Sequence, residues 1–176
     1  IKMKNEINHE KFIEYPIFEG LKLEEIQKFT DKIEINNYST DEIIIKEGDD
    51  GNSILFLLNG KINVTQALTL PTDKYKNLDN REKELIRLNS EKHTISFGEI
   101  SLFSIDKKRT ATVKANTKCE IARLGFKDLF EICDANKDIG YQIMKNTSKI
   151  ITKHLIDSNH KVLKLTTAFS LLIDNE

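Results

Sequence analysis

A chain of 176 residues with 39% hydrophobic and 31% charged side chains is long enough for one well-buried globular core and too short for two ordinary domains. Its 27 basic and 28 acidic residues leave a formal net charge of −1, which gives no electrostatic case for binding DNA or an anionic membrane. No run approaches the roughly eighteen apolar residues of a membrane span, the N-terminus carries no apolar signal core, and Cys119 and Cys133 stand singly as free thiols, so the expected location is a reducing cytoplasm.

The first thirty residues read as helical, with apolar positions near helical spacing from Leu21 to Phe29. From residue 33 the texture changes to short β-rich runs at 33–38, 42–46, 53–58 and 61–67. Gly48-Asp49, Asp50-Gly51 and Asn59-Gly60 punctuate them, and Asn-Gly is a strong hairpin signal. Residues 68–84 lose the pattern and read as a surface insertion, in which Asp79 and Glu82 could cap one helical turn. The sheet resumes at 85–88, and further strands are expected at 109–113 and 118–124. Past Gly125, residues 126–133 have helical spacing, and a longer helix begins near Lys137. There Met144, Ser148, Ile151, Leu155, Ser158, Val162, Leu165 and Phe169 are separated alternately by four and three residues. That is a heptad seam, and it predicts a parallel homodimer through this helix unless Asp157-Ser158-Asn159 breaks it; an internal packing helix is the plainer reading.

The most informative stretch is Phe97-Gly98-Glu99-Ile100-Ser101-Leu102-Phe103, followed by Arg109-Thr110-Ala111-Thr112-Val113. It predicts a turn into a short apolar helix, a polar loop, and an arginine opening a β-branched strand. Backbone N–H groups at such a turn and an arginine arriving from across the loop can together hold a phosphate. Glu99 would repel a bare phosphate, so it fits only a ligand that also offers a donor, such as a ribose hydroxyl. One anion, one guanidinium and one hydroxyl acceptor describe a nucleotide with a single phosphate charge.

These residues resemble the phosphate-binding cassette of cyclic nucleotide-binding domains, as found in bacterial catabolite activators, protein kinase A regulatory subunits and nucleotide-gated channels. Lys46-Glu47-Gly48-Asp49-Asp50 and the run from Ile54 through Asn59-Gly60 to Val64 resemble the same family's glycine-marked strand pair. The resemblance runs from about Phe18 to Leu165. It implies an α+β fold, an antiparallel β jelly-roll with N-terminal helices and a long C-terminal helix. The expected layout is a helical segment 1–32, a jelly roll 33–124 carrying the cassette at 97–113, and C-terminal helices 125–176.

The resemblance also implies roles. Arg109 would hold the phosphate; Gly98 would let backbone come close; Ile100 and Ser101 would offer main-chain N–H groups; and Glu99 would accept from the ribose 2′-hydroxyl. Ala111 belongs to the same motif. Thr110 either faces the base, as a threonine does in members preferring cGMP, or is an ordinary strand residue. Carried over without gaps, the base-contacting positions of the bacterial activators fall at His154 and Leu155; an exposed helical histidine is the alternative. The ten-residue step from Glu99 to Arg109 resembles those activators, so cAMP is expected to bind at least as tightly as cGMP. His9, His93, His154 and His160 are scattered without metal-ligand spacing, and no nucleophile–base pair has local support, so no metal, cofactor or catalysis is expected.

The expected function is a regulatory module that binds a cyclic mononucleotide and signals to a protein effector by helix rearrangement. The alternative is the sensor part of a catabolite-activator-type transcription regulator. Too few residues follow His154 in this chain for a DNA-reading domain, so direct DNA binding is not expected of it.

Overall fold

The computed structural model describes residues 7–67 and 82–173. Two 3₁₀ turns, His9–Glu14 and Pro16–Phe18, lead into helix α1 (Leu23–Thr30), where Glu25 accepts the Lys22 N–H at 2.7 Å and secures the first turn. The N-terminal segment is therefore less α-helical than expected. Pro16 and the aromatic run Phe12, Tyr15 and Phe18 favour tight turns that aim all three rings at Phe56.

Eight strands follow: β1 (Glu34–Tyr38), β2 (Ile43–Ile45), β3 (Ser53–Asn59), β4 (Lys61–Ala67), β5 (Glu82–Asn89), β6 (Ile95–Phe97), β7 (Thr112–Ala115) and β8 (Cys119–Gly125). They form two antiparallel four-stranded sheets in the orders β1-β8-β3-β6 and β2-β7-β4-β5, the jelly-roll arrangement. β3 is buried along almost its whole length because it has a core on each face. Ile54, Phe56 and Leu58 join the aromatic cluster under the helices, while Leu55 and Leu57 pack between the sheets with Ile62, Val113 and Ile121.

Three strand expectations need correction. Asn59-Gly60 is not a hairpin: β3 and β4 lie in different sheets, and the dipeptide is the corner between them. Gly60 sits at φ +102°, and a Cβ there would come within 2.5 Å of the Lys118 carbonyl oxygen, so both conformation and space demand glycine. The real hairpin partners are β4 and β5, paired from Lys61↔Asn89 to Ala67↔Glu82. Glu82 therefore opens a strand rather than a helical turn; Asp79 and most of the expected insertion lie outside the described residues. Finally, Arg109 does not open a strand, since β7 starts three residues later.

Helix α2 (Ile100–Phe103) interrupts the strands, and α3 (Phe126–Ala135) and α4 (Lys137–Ile173) close the chain. Asp157-Ser158-Asn159 does not break α4, which runs on for 37 residues, about 55 Å at the α-helical rise. Ile139, Gly140, Ile143, Asn146 and Thr147 bury its first turns, and the Asn146 side chain donates to the Ile17 and Glu19 carbonyls at 3.0 and 2.8 Å. Cys119 and Cys133 are both buried free thiols, and burial pushes the Cys133 thiol up to about 11. No described helix is long and apolar enough to cross a membrane.

Candidate functional site

The fold brings the two sequence motifs together through backbone pairing. The Arg109 N–H donates to the Asp49 carbonyl at 2.8 Å, and the Gly48 N–H donates to the Arg109 carbonyl at 2.9 Å. One residue pair further on, Gly51 N–H donates to the Lys107 carbonyl at 2.7 Å. Gly51 must be glycine here, because a Cβ would collide with the Ser101 side chain. Ser101 Oγ in turn donates to the Lys108 carbonyl at 3.1 Å, tying α2 to the chain that carries Arg109. The loop is thus tied to its neighbours by backbone and side-chain hydrogen bonds.

Gly98 sits at φ +91°, a conformation that L side chains rarely adopt, and a Cβ on it would run into the Arg109 guanidinium. The close approach is used: Arg109 Nη1 donates to the Gly98 carbonyl at 3.3 Å and Nη2 to Ser53 Oγ at 3.1 Å. Arg109 is 7% exposed. Burial, followed by the charge of Arg123, lowers its pKa, and the carboxylate of Glu99 opposes both.

Glu99 is 2% exposed, and its side chain makes no cap to α2. Its Oε1 lies 3.2 Å from His154 Nδ1, while Oε2 is buried without a hydrogen-bond partner. A buried carboxylate oxygen with no donor is costly, so this atom is poised to accept one. His154 is half exposed, and its pKa is raised, first by the bond to Glu99; the charges of Glu99 and Asp157 add to this, while burial and Lys153 oppose it. α4 thus reaches the cassette through His154.

Gly98, Glu99, Ser101, Arg109 and His154 are thus assembled in one place from two distant parts of the chain. Ile100 stands beside them with its side chain exposed; its N–H and that of Ser101 belong to the first turn of α2, where a helix leaves donors unpaired. Thr110 is exposed and Ala111 half-buried on the short link to β7. Sequence reasoning missed Ser53, Asn52 and Arg123. Ser53 Oγ accepts from Arg109 and also from Arg123 Nε at 3.0 Å, and Arg123 donates to Asn52 Oδ1 at 2.7 Å. These contacts span 56 to 71 residues, so no local pattern announces them.

The family model for the cyclic nucleotide-binding domain matches residues 35–136. This chain belongs to the cyclic nucleotide-binding domain family. Among its relatives is the cAMP-dependent protein kinase regulatory subunit of Emericella nidulans, 31% identical over 119 residues, covering 66% of this chain and 25% of that protein. Another is the cAMP-activated global transcriptional regulator CRP of Haemophilus influenzae, 26% identical over 125 residues, covering 67% of this chain and 50% of that protein. The chain therefore spans a quarter to a half of the length of these two curated relatives. Among solved structures, a cyclic nucleotide-binding domain from Methylobacillus flagellatus superposes with a TM-score of 0.71 at 18% identity, covering 88% of this chain and 84% of that one, a likeness of fold. The family is one of regulatory and binding domains, as these names state.

Proposed function

We propose that this chain binds a cyclic mononucleotide, cAMP in preference to cGMP, and reports its occupancy by moving α4. The observation that carries the reading is the pair formed by buried Arg109 and the unpartnered Oε2 of Glu99, a cation and a hydroxyl acceptor held side by side. A phosphodiester takes the guanidinium and the α2 N–H groups, and the ribose 2′-hydroxyl donates to Oε2. His154 holds the other oxygen, so ligand and α4 meet on one carboxylate, and filling the site shifts the balance between docked and released α4. The adenine preference is supported by the names of both curated relatives, a cAMP-dependent and a cAMP-activated protein. Thr110, exposed beside Arg109, offers a single hydroxyl to a base edge, enough for only modest discrimination.

The exposed apolar face of distal α4 supports a parallel homodimer, with a protein effector reading the helices. A sensor half of a catabolite-activator-type regulator remains the second reading, favoured by the match to half the length of CRP, with the DNA-binding domain supplied outside this chain. Calorimetric titration with cAMP, cGMP and 5′-AMP tests the site. Arg109→Ala is expected to cost about 2–4 kcal/mol, roughly 30- to 1000-fold in affinity, with Arg109→Lys in between because it keeps charge but loses the fork. Unchanged cAMP affinity in Arg109→Ala would overturn the reading. Stronger cGMP binding, lost in Thr110→Ala, would overturn only the choice of base.

A further inference from the structure

Arg109 has a second side. Between the edge strands β1 and β2 lies a cavity of about 310 Å³, floored by β3 and β8. Arg109 and Arg123 both line it, and their guanidinium groups converge on the same Ser53 hydroxyl. Lys46 lines it as well. Among the described residues, neither arginine makes an ion pair with a carboxylate. Of the two carboxylates on the wall, Asp50 is already paired with Lys108 at 2.6 Å, and Asp49 is exposed to water. The cassette residues Gly98, Glu99 and Ser101 do not line it, although Arg109 is common to this cavity and the nucleotide site.

Lys46, Arg109 and Arg123 outnumber Asp49 on this wall, and because the Glu99 carboxylate already acts on Arg109, the uncompensated charge is chiefly that of Arg123 and Lys46. Arg123 also acts on Arg109 as a like charge, second only to burial in lowering its pKa. A cyclic nucleotide would not relieve this, because its phosphodiester carries one negative charge and Arg109 alone answers it. Two guanidinium forks on one hydroxyl match instead the several oxygens of a dianion.

We propose that the Arg109–Arg123 cavity is a second anion site, taking a phosphate dianion either free or as a phosphomonoester. Arg123 is its principal ligand, held in place by Asn52 and Ser53. Arg109 is shared with the nucleotide site, so the two occupants draw on the same guanidinium. This goes beyond the nucleotide reading and does not depend on it.

The test is a phosphorus NMR and calorimetric titration of the wild-type chain with inorganic phosphate and with ribose 5-phosphate, ionic strength held constant by chloride. Saturable binding below about 20 mM is expected, weakened at least about tenfold in Arg123→Gln and less in Arg123→Lys. Arg123 shares Ser53 with Arg109, so Arg123→Gln should also weaken cAMP binding, but by clearly less than it weakens phosphate. Tighter binding of ribose 5-phosphate would assign the site to a carried phosphoryl group; equal or tighter binding of inorganic phosphate would assign it to the free ion. A thermal melt of both variants confirms that they fold, and Arg123→Lys serves if the glutamine variant does not. No saturable binding to wild type, or binding unchanged by loss of the Arg123 charge, overturns the proposal. So does an equal loss of phosphate and cAMP binding, since that would place Arg123 in the nucleotide site. A chain that binds phosphate through Arg123 but no cyclic nucleotide would instead overturn the function proposed above and leave this site standing.

Discussion

The two halves of α4 are one continuous helix with opposite surroundings. Its first turns are sealed into the core by Ile139 and Ile143 and pinned to the N-terminal turns by Asn146. From Thr152 onward every described residue is exposed, including Leu155 at 60%, Val162 at 57%, Leu165 at 62% and Phe169 at 66%. Apolar side chains are plentiful in both halves, so composition does not separate them. Partner availability does: the proximal half finds α3 and the aromatic cluster, whereas the distal half is exposed along its length and meets the cassette through His154. A helix can therefore be anchor at one end and reporter at the other. An uncovered apolar stripe of this length calls for a second surface.

The largest effect is expected from breaking the anchor. Ile143→Ala removes a fully buried side chain and should cost about 2–5 kcal/mol of unfolding free energy in urea denaturation. The distal half should behave in the opposite way. Leu155→Glu is expected to convert a dimer to a monomer in light scattering while leaving the monomer's thermal midpoint nearly unchanged, because Leu155 contributes no core. A wild-type chain that runs as a well-folded monomer with and without ligand would remove the dimer.

Glu99, where the cassette meets α4, sharpens the comparison. Glu99→Gln should weaken cAMP by roughly tenfold, about 1.4 kcal/mol, by replacing a charge-assisted bond with a neutral one. A 2′-deoxy analogue should show a similar loss with wild type and little further loss with the variant. Additive losses would mean that Glu99 does not meet the 2′-hydroxyl.

The smallest effect is that of pH on the His154–Glu99 contact. The folded pKa of His154 is raised above its ordinary value near 6.5, so the folded state holds the proton more tightly than the unfolded chain. The pair's stabilisation is thus fully present below the ordinary histidine pKa and disappears as pH rises through the raised value. Because His154 is half exposed, the difference in stability between wild type and His154→Ala should be under about 1 kcal/mol at acid pH and vanish at alkaline pH, read by urea denaturation across that range. A difference that grows with pH would show that the contact acts by packing instead.

Much of this arrangement is written locally. The alternation and turn residues announce most strands to within a residue or two, and Gly98-Glu99 with Arg109 marks the cassette, because a positive-φ turn and an arginine at fixed spacing are short-range requirements. The heptad spacing likewise predicts a long helix from Lys137. What was illegible is what depends on distant partners. Asn59-Gly60 has a hairpin's composition, yet its neighbours belong to two sheets, and only the pairing of β3 with β8 and of β4 with β5 reveals the corner. Arg109 has the sequence context of a strand opening but is pulled out of β7 by the Gly48-Asp49 turn.

The sequence by itself carried the motifs by which the family is recognised, the turn of the cassette and the amphipathic texture of α4, since each is a pattern of residues close along the chain. Tertiary structure alone decided that Arg109 and Arg123 share Ser53, that Glu99 is buried with one oxygen held by His154 and one left open, and that the seam of α4 is bare after Thr152. The physical reason is the same in each case: burial and unsatisfied charge are properties of what surrounds a residue, and those surroundings arrive from fifty or more residues away.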